Sequence, residues 1–102
     1  MLVRWTEPAL GDMENIRDYI AQDSPENANR FIEQLFDAAA ELYGLPHRGR
    51  QVPESDRDDV RELIHKEYRI IYRVKPHEVD VLAVVHGSRD LNRLPNPPWI
   101  KS

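Results

Sequence analysis

The spacing of apolar residues changes along the chain, and each change predicts a different element. Ala9, Met13, Ile16 and Ile20 fall three or four apart, with Leu10 and Tyr19 widening the stripe. This is the period of an amphipathic helix, over residues 8–21. Thr6 stands where a cap is needed, and Pro8 lies in the first turn, where a missing N–H costs nothing. Asp23-Ser24-Pro25 then breaks and restarts the pattern, and Ala28, Phe31, Ile32, Leu35, Ala39 and Leu42 line one face of a second helix over 25–43. Gly44 at the C′ position and Pro46 beyond it close that helix. The link between the two is so short that they should fold back as an antiparallel hairpin. Phe36 and Tyr43 make the second stripe broader than one sheet contact requires, which fits either a deeply buried helix or a groove for a partner segment.

From Val60 onward β-branched and aromatic residues dominate. Val60–His65, Tyr68–Val74 and Val79–His86 read as three consecutive antiparallel strands, joined at Lys66-Glu67 and around Pro76-His77. The third is almost continuously apolar, as for a strand covered on both sides over much of its length. Leu2–Thr6 is a further short strand. Residues 45–59 form a loop rich in Pro, Gly and charge, and residues 88–94 have room for one helical turn. Pro95, Pro97 and Pro98 forbid regular structure after that, with Trp99-Ile100 as an apolar anchor. The order β-α-α-β-β-β predicts an α+β fold, with an N-terminal helix hairpin packed on one face of an antiparallel sheet. The other face should be left free.

Composition narrows the class. A chain of 102 residues with 40% hydrophobic and 31% charged residues suits one soluble domain spanning 1–102. Cysteine is absent, which excludes disulfides and thiolate chemistry. No run approaches the roughly 20 apolar residues of a membrane span, so the expected location is cytoplasmic by default. The net charge of −4 is a poor signature for a generic nucleic-acid binder. The acids concentrate in the helical half and the bases, mostly arginine, in the half that holds the sheet.

Arg61, Arg69, Arg73, His86 and Arg89 fall within the strands or at their ends. A cation in a half-buried sheet is costly unless paired or solvated, so some of these should point to an open, polar face. The histidines His47, His65, His77 and His86 lack zinc-ligand spacing. The acidic run from Glu54 to Asp59 fails as a calcium loop, with Asp59 where glycine is needed and His65 where the final glutamate belongs. No phosphate-cradling glycine loop and no nucleophilic triad is present, and no cofactor or metal is expected.

With that order established, GRQVPE (49–54), VRELIHKEYRIIYRV (60–74) and VLAVVHGSRDL (81–91) resemble the RelE/ParE superfamily, the toxins of bacterial type II toxin–antitoxin modules, often labelled plasmid stabilisation proteins. The opening, a strand ending in Trp5 followed by Pro8-Ala9 and a helix pair, is similar as well. The resemblance implies a small α+β toxin that inhibits growth and is neutralised by a cognate antitoxin with a DNA-binding N-terminal domain. It also implies one of two targets. ParE-like members poison DNA gyrase by binding; RelE-like members cut mRNA in the ribosome. The acidic balance, and the absence of lysines from the strand before Tyr68, favour the gyrase branch.

For that branch, the arginines Arg61, Arg69, Arg73 and Arg89 are the candidate target-binding residues. For the ribonuclease alternative, the resemblance aligns Glu54 with a catalytic glutamate and Arg69 with a phosphate-stabilising arginine. His86 lies near the acid and Arg89 near phosphate, in a metal-independent reaction through the 2′-hydroxyl. Each also has an ordinary structural use. Glu54 can pair with Arg50 or Arg57, Arg69 can hold Glu62 across the hairpin, His86 can bond the following turn, and Arg89-Asp90 can cap a helical turn. The resemblance further implies an antitoxin segment lying against the helix hairpin or sheet, with Leu10, Phe31, Phe36 and Tyr43 as the candidate receiving residues.

Overall fold

A computed structural model describes residues 1–100. The elements are β1 (Leu2–Trp5), α1 (Glu7–Ala21), α2 (Pro25–Ala40), β2 (Arg50–Gln51), β3 (Val60–His65), β4 (Tyr68–Val74) and β5 (Glu78–His86), with 3₁₀ turns at Glu41–Tyr43 and Leu91–Arg93. The class is α+β, with the helix pair on one face of the sheet, as the pattern predicts. The strands lie in the order β1-β5-β4-β3-β2. From β2 to β5 neighbours are antiparallel, but β1 runs parallel to β5, so the sheet is mixed. A parallel pair needs a long crossover, and everything between β1 and β5 serves as one.

Both helix starts are capped as their sequences require. Thr6 Oγ1 accepts from the Ala9 N–H at 3.3 Å and donates to the Val81 carbonyl at 2.8 Å, so one hydroxyl caps α1 and ties it to β5. Ser24 Oγ accepts from the Asn27 N–H at 3.2 Å. The end of α2 differs from expectation. The helix tightens into the 3₁₀ turn after Ala40, and Gly44 sits at φ −94°, not in the left-handed region of a C′ glycine. The loop 45–59 also holds a short strand. β2 is seated by Gly49, whose N–H donates to Tyr72 Oη at 2.8 Å. A Cβ on Gly49 would lie 2.6 Å from that oxygen, so only glycine fits.

On the helix face, Ala9, Met13, Ile16, Leu35 and Ala39 pack against Ile70, Val81 and Val84. Leu42, Tyr72 and Val79 continue this layer toward the other end. Each large aliphatic side chain buried here contributes about 1.5–3 kcal/mol.

The opposite face is not left free. Val52, Val60, Ile71, Leu82, Ala83 and Val85 form a second apolar layer, covered by Leu91 and Trp99 from the C-terminal segment. That segment doubles back as a strap, and Arg57 Nη1 donates to the Trp99 carbonyl at 3.3 Å. The prolines forbid helix and sheet there but not an extended run across a sheet. A bulge helps make the layer: Ile71 faces Ala83 while Tyr72 faces Val81, leaving Leu82 as the extra residue on β5. Leu82 and Ala83 therefore both join the second layer.

β1 ends at Trp5 while β5 continues to His86, so the last turn of β5 has an unpaired edge. Asp12 of α1 closes it by accepting from the Val84 N–H at 2.9 Å. Among the described residues, no helix is long and apolar enough to cross a membrane.

Candidate functional site

Strand alternation sorts the charged candidates. On β4, Ile71 belongs to the second layer, so Arg69 and Arg73 share its face, while Tyr68, Ile70 and Tyr72 face the helices. On β3, Glu62 stands opposite Ile71 and Arg61 opposite Tyr72. Arg69 and Glu62 therefore share one face, and Arg61 lies on the other.

Arg69 is 6% exposed and Glu62 1%. Arg69 Nε donates to Glu62 Oε1 at 2.6 Å. Its two terminal nitrogens meet Glu54, Nη2 to Oε1 at 2.7 Å and Nη1 to Oε2 at 2.9 Å. Arg50 Nε reaches the other Glu62 oxygen at 2.6 Å. Two carboxylates and two guanidinium groups thus neutralise one another, with the fork geometry that only arginine supplies. Glu54 also accepts from the Leu91 N–H at 3.3 Å, which fastens the strap to the cluster. The Arg69 bonds, aided by its charge and opposed by burial, hold the Glu54 carboxyl down at about 2. Arg69 is pushed above the ordinary arginine range, first by Glu54. A buried cluster with every charge paired is costly to break, because removing one member strands the rest.

The four arginines expected to share an exposed surface do not. Arg69 is buried and held by two carboxylates. Arg61 donates to the Gly49 carbonyl at 3.1 Å and to Asp58 at 3.3 Å, on the helix side of the sheet. Arg73 pairs with Asp59 at 3.0 Å, and Asp59 also holds Arg57 at 2.8 Å. The Asp59 carboxyl is lowered chiefly by Arg57. Arg89 alone of the four is exposed and without an ion pair among the described residues. For Arg69 and Arg73 the physical reason is the strap: once it covers the second face, a cation there must find a partner or leave.

The ribonuclease set is likewise divided. Glu54 pairs with Arg69, not with Arg50 or Arg57. His86 lies on the helix side, its ring 5.5 Å from that of Tyr68, and its Nδ1 is 2.7 Å from Ser88 Oγ in the following turn. Glu54 and His86 therefore stand on opposite faces, and no base and acid converge on one phosphate. Asp90 caps the Leu91–Arg93 turn through the Asn92 N–H at 3.0 Å, without Arg89.

The candidate antitoxin residues also separate. Phe31 and Phe36 are five positions apart on α2, which is about 140° around a helix. Phe36 packs against Trp5 at 4.6 Å between ring centres, near the β1 edge. Phe31 meets His65 at 5.7 Å and Tyr68 at 5.5 Å, near the β3–β4 turn. Leu10, Phe36 and Tyr43 remain exposed, Tyr43 by 66%.

Glu62 was legible only as an optional partner of Arg69, and two further participants, Gly49 and Asp12, escaped sequence reasoning. Glu62 reads as an ordinary acid in a mixed strand, although its position opposite the apolar Ile71 marks it as inward-facing. Gly49 shows no signal beyond being glycine. Asp12 had a legible one, since it falls on the Ala9-Met13-Ile16 stripe. It borders a recess of about 480 Å³ between α1 and the strap, lined also by Leu82, Val85, Arg89 and Pro97. Burial raises the Asp12 carboxyl, while the Val84 N–H and Arg89 act the other way.

A helix hairpin packed on one face of a mixed five-stranded sheet matches the RelE/ParE architecture. Comparison with known proteins specifies the family: residues 3–91 match the model of the ParE toxin of type II toxin–antitoxin system, parDE, and the chain belongs to that family. Toxin RelE2 of Caulobacter vibrioides is 39% identical over 88 residues, covering 85% of this chain and 96% of that protein. The Y4kP protein of Sinorhizobium fredii is 33% identical over 87 residues, covering 83% and 86%. Among solved structures, a chain of the chromosomal ParDE system from P. aeruginosa superposes with a TM-score of 0.72 at 26% identity, covering 84% of this chain and 95% of that one. The toxin–antitoxin complex RelBE2 from Mycobacterium tuberculosis shares the fold at a TM-score of 0.61 and 23% identity, covering 83% and 88%. The chain is the toxin component of a RelE/ParE-type module, which implies a cognate antitoxin.

Proposed function

We propose that this toxin inhibits growth by binding, with DNA gyrase as its target, and does not cleave RNA. The observation that carries this reading is the commitment of Arg69. A guanidinium whose Nε and both terminal nitrogens bond Glu54 and Glu62 is already neutralised, and those carboxylates repel a phosphate. The family match and the net charge of −4 point the same way. Of the candidate target-binding arginines, Arg89 is the one with a free guanidinium, and we assign it the leading contact. Gyrase and an antitoxin bound to DNA are both cytoplasmic, so we assign the toxin there too.

The test is a supercoiling assay with purified gyrase and the purified toxin. The reading predicts loss of supercoiling, or accumulation of cleaved DNA, at excess toxin. Unimpaired gyrase would overturn it.

A second reading takes support from the relative named Toxin RelE2 and from a recess of about 360 Å³ that Glu54 and Arg69 share with Arg50, Gly87 and Asp90. Here Arg69 would have to let go of Glu54 when the ribosome is engaged. Mapping transcript ends after induction separates the two, since only ribosome-dependent cleavage leaves cuts within codons.

We further propose that the antitoxin, carrying an N-terminal DNA-binding domain, lays its C-terminal segment on the helix hairpin. Co-expression should then yield a soluble complex, whereas the toxin made alone should be insoluble or arrest its host.

A further inference from the structure

Among the described residues, every arginine and lysine is ion-paired except Arg30, Lys66 and Arg89. Two of these three, far apart in sequence, line the same recess. It lies where the start of α2 meets the β3–β4 turn, and Ile20, Asn27, Phe31 and Gln34 complete its wall. Lys66 sits at φ 52°, a left-handed conformation that costs a side-chain-bearing residue energy. Its ammonium lies over the Phe31 ring, 5.7 Å from the ring centre. Arg30 has acids one turn away on either side, Glu26 and Glu33, and pairs with neither. In a chain with more acids than bases, two unneutralised cations on one wall need a physical account.

We propose that this recess receives a single acidic side chain from the antitoxin segment, its carboxylate between Arg30 and Lys66 and its neighbouring aliphatic residue against Phe31. This rests on the reading that the antitoxin docks on the helix hairpin. Volume and charge select the occupant. At about 230 Å³ the recess is smaller than the roughly 300–1,000 Å³ of small-molecule sites, and suits one side chain. A nucleic-acid strand would have to lie along helices whose exposed acids, among them Glu26 and Glu33, repel it. A peptide with one well-placed acid avoids that repulsion. The Asn27 and Gln34 carboxamides supply further polar groups at the wall, though Gln34 Oε1 already meets His65 Nε2 at 3.2 Å. Charge pairs at an exposed rim act mainly on association and register, which suits a contact that sets where the segment lies.

The experiment uses the product of the adjoining reading frame, co-expressed and purified with this chain, and measures affinity by calorimetry after separation and refolding. The paired reversal Arg30→Glu with Lys66→Glu should weaken binding about tenfold or more and flatten its salt dependence. The thermal unfolding midpoint should fall only modestly, through the lost Lys66–Phe31 contact and repulsion of the new acid at position 30 by Glu26 and Glu33, because neither cation is ion-paired in the free toxin. Arg89→Glu should stay within about twofold. Replacing one particular antitoxin acid by lysine should restore affinity toward the reversed toxin and reduce it toward the wild type. Equal affinity of the reversed and wild-type toxins would overturn the proposal, as would a loss that no antitoxin charge swap restores. If wild-type toxin and antitoxin do not bind at all, the antitoxin reading itself falls and this site falls with it.

Discussion

On one face of the sheet Leu35, Ala39 and Met13 meet Ile70 and Val84 with no charge between them. On the other, Val60, Ile71 and Val85 share their layer with Glu54, Glu62 and Arg69. Regular helices cover the first face. Loop and strap cover the second; backbone bonds tie the loop to the sheet through β2 and at Val52 and Asp59, and side chains add to them. The buried charges are the chief addition. Glu54 reaches from the loop, Arg69 from the sheet, and the Leu91 N–H from the strap, so one cluster ties the three segments together. Paired charges stabilise less per residue than apolar packing but define position more sharply.

Substitutions at each face would break or sharpen this contrast. The largest effect should come from Arg69→Leu, which leaves Glu62 buried without its main partner; we expect about 3–5 kcal/mol lost in urea denaturation. Leu35→Ala on the helix face should cost about 2–5 kcal/mol through a cavity, with little dependence on pH. If Arg69→Leu cost no more than a surface substitution, the cluster would not be what holds the second face.

The cluster should also make stability depend on acid. The folded Glu54 carboxyl titrates at about 2, against an ordinary value of 4.5. A depressed folded value means that the contribution is complete above about 4.5 and disappears as the pH falls toward 2. At most this amounts to about 3.5 kcal/mol, at about 1.4 kcal/mol per unit. Glu54→Gln should lower stability at pH 7 and flatten the loss between those limits. An unchanged acid profile in the variant would mean that other carboxylates carry it.

Gly49→Ala should cost about 1–3 kcal/mol by crowding Tyr72 Oη and the Glu62 backbone, displacing β2. The smallest effect should come from Arg93→Ala, whose 3.7 Å pair with Asp90 is exposed; a change beyond about 0.5 kcal/mol would be unexpected.

The amphipathic helices, their Thr6 and Ser24 caps, the three late strands and the β-α-α-β-β-β order all follow from residues close in sequence. So did the wording that marks the chain as a RelE/ParE relative, and the pairing of Arg69 with Glu62 was legible as an option. These rest on local periodicity and local hydrogen bonding, which a one-dimensional pattern carries. What the chain did not declare was which way its charges point. Whether a strand arginine is a docking surface or a buried tie depends on what covers that face. Here the cover is Leu91 to Trp99, a segment with no period of its own. The parallel placement of β1, the partner of Glu54 and the shared recess of Arg30 and Lys66 likewise join residues far apart in the chain. Only tertiary packing decides such contacts, because the free energy that selects them lies in burial and charge pairing across the fold and leaves no repeat along the sequence.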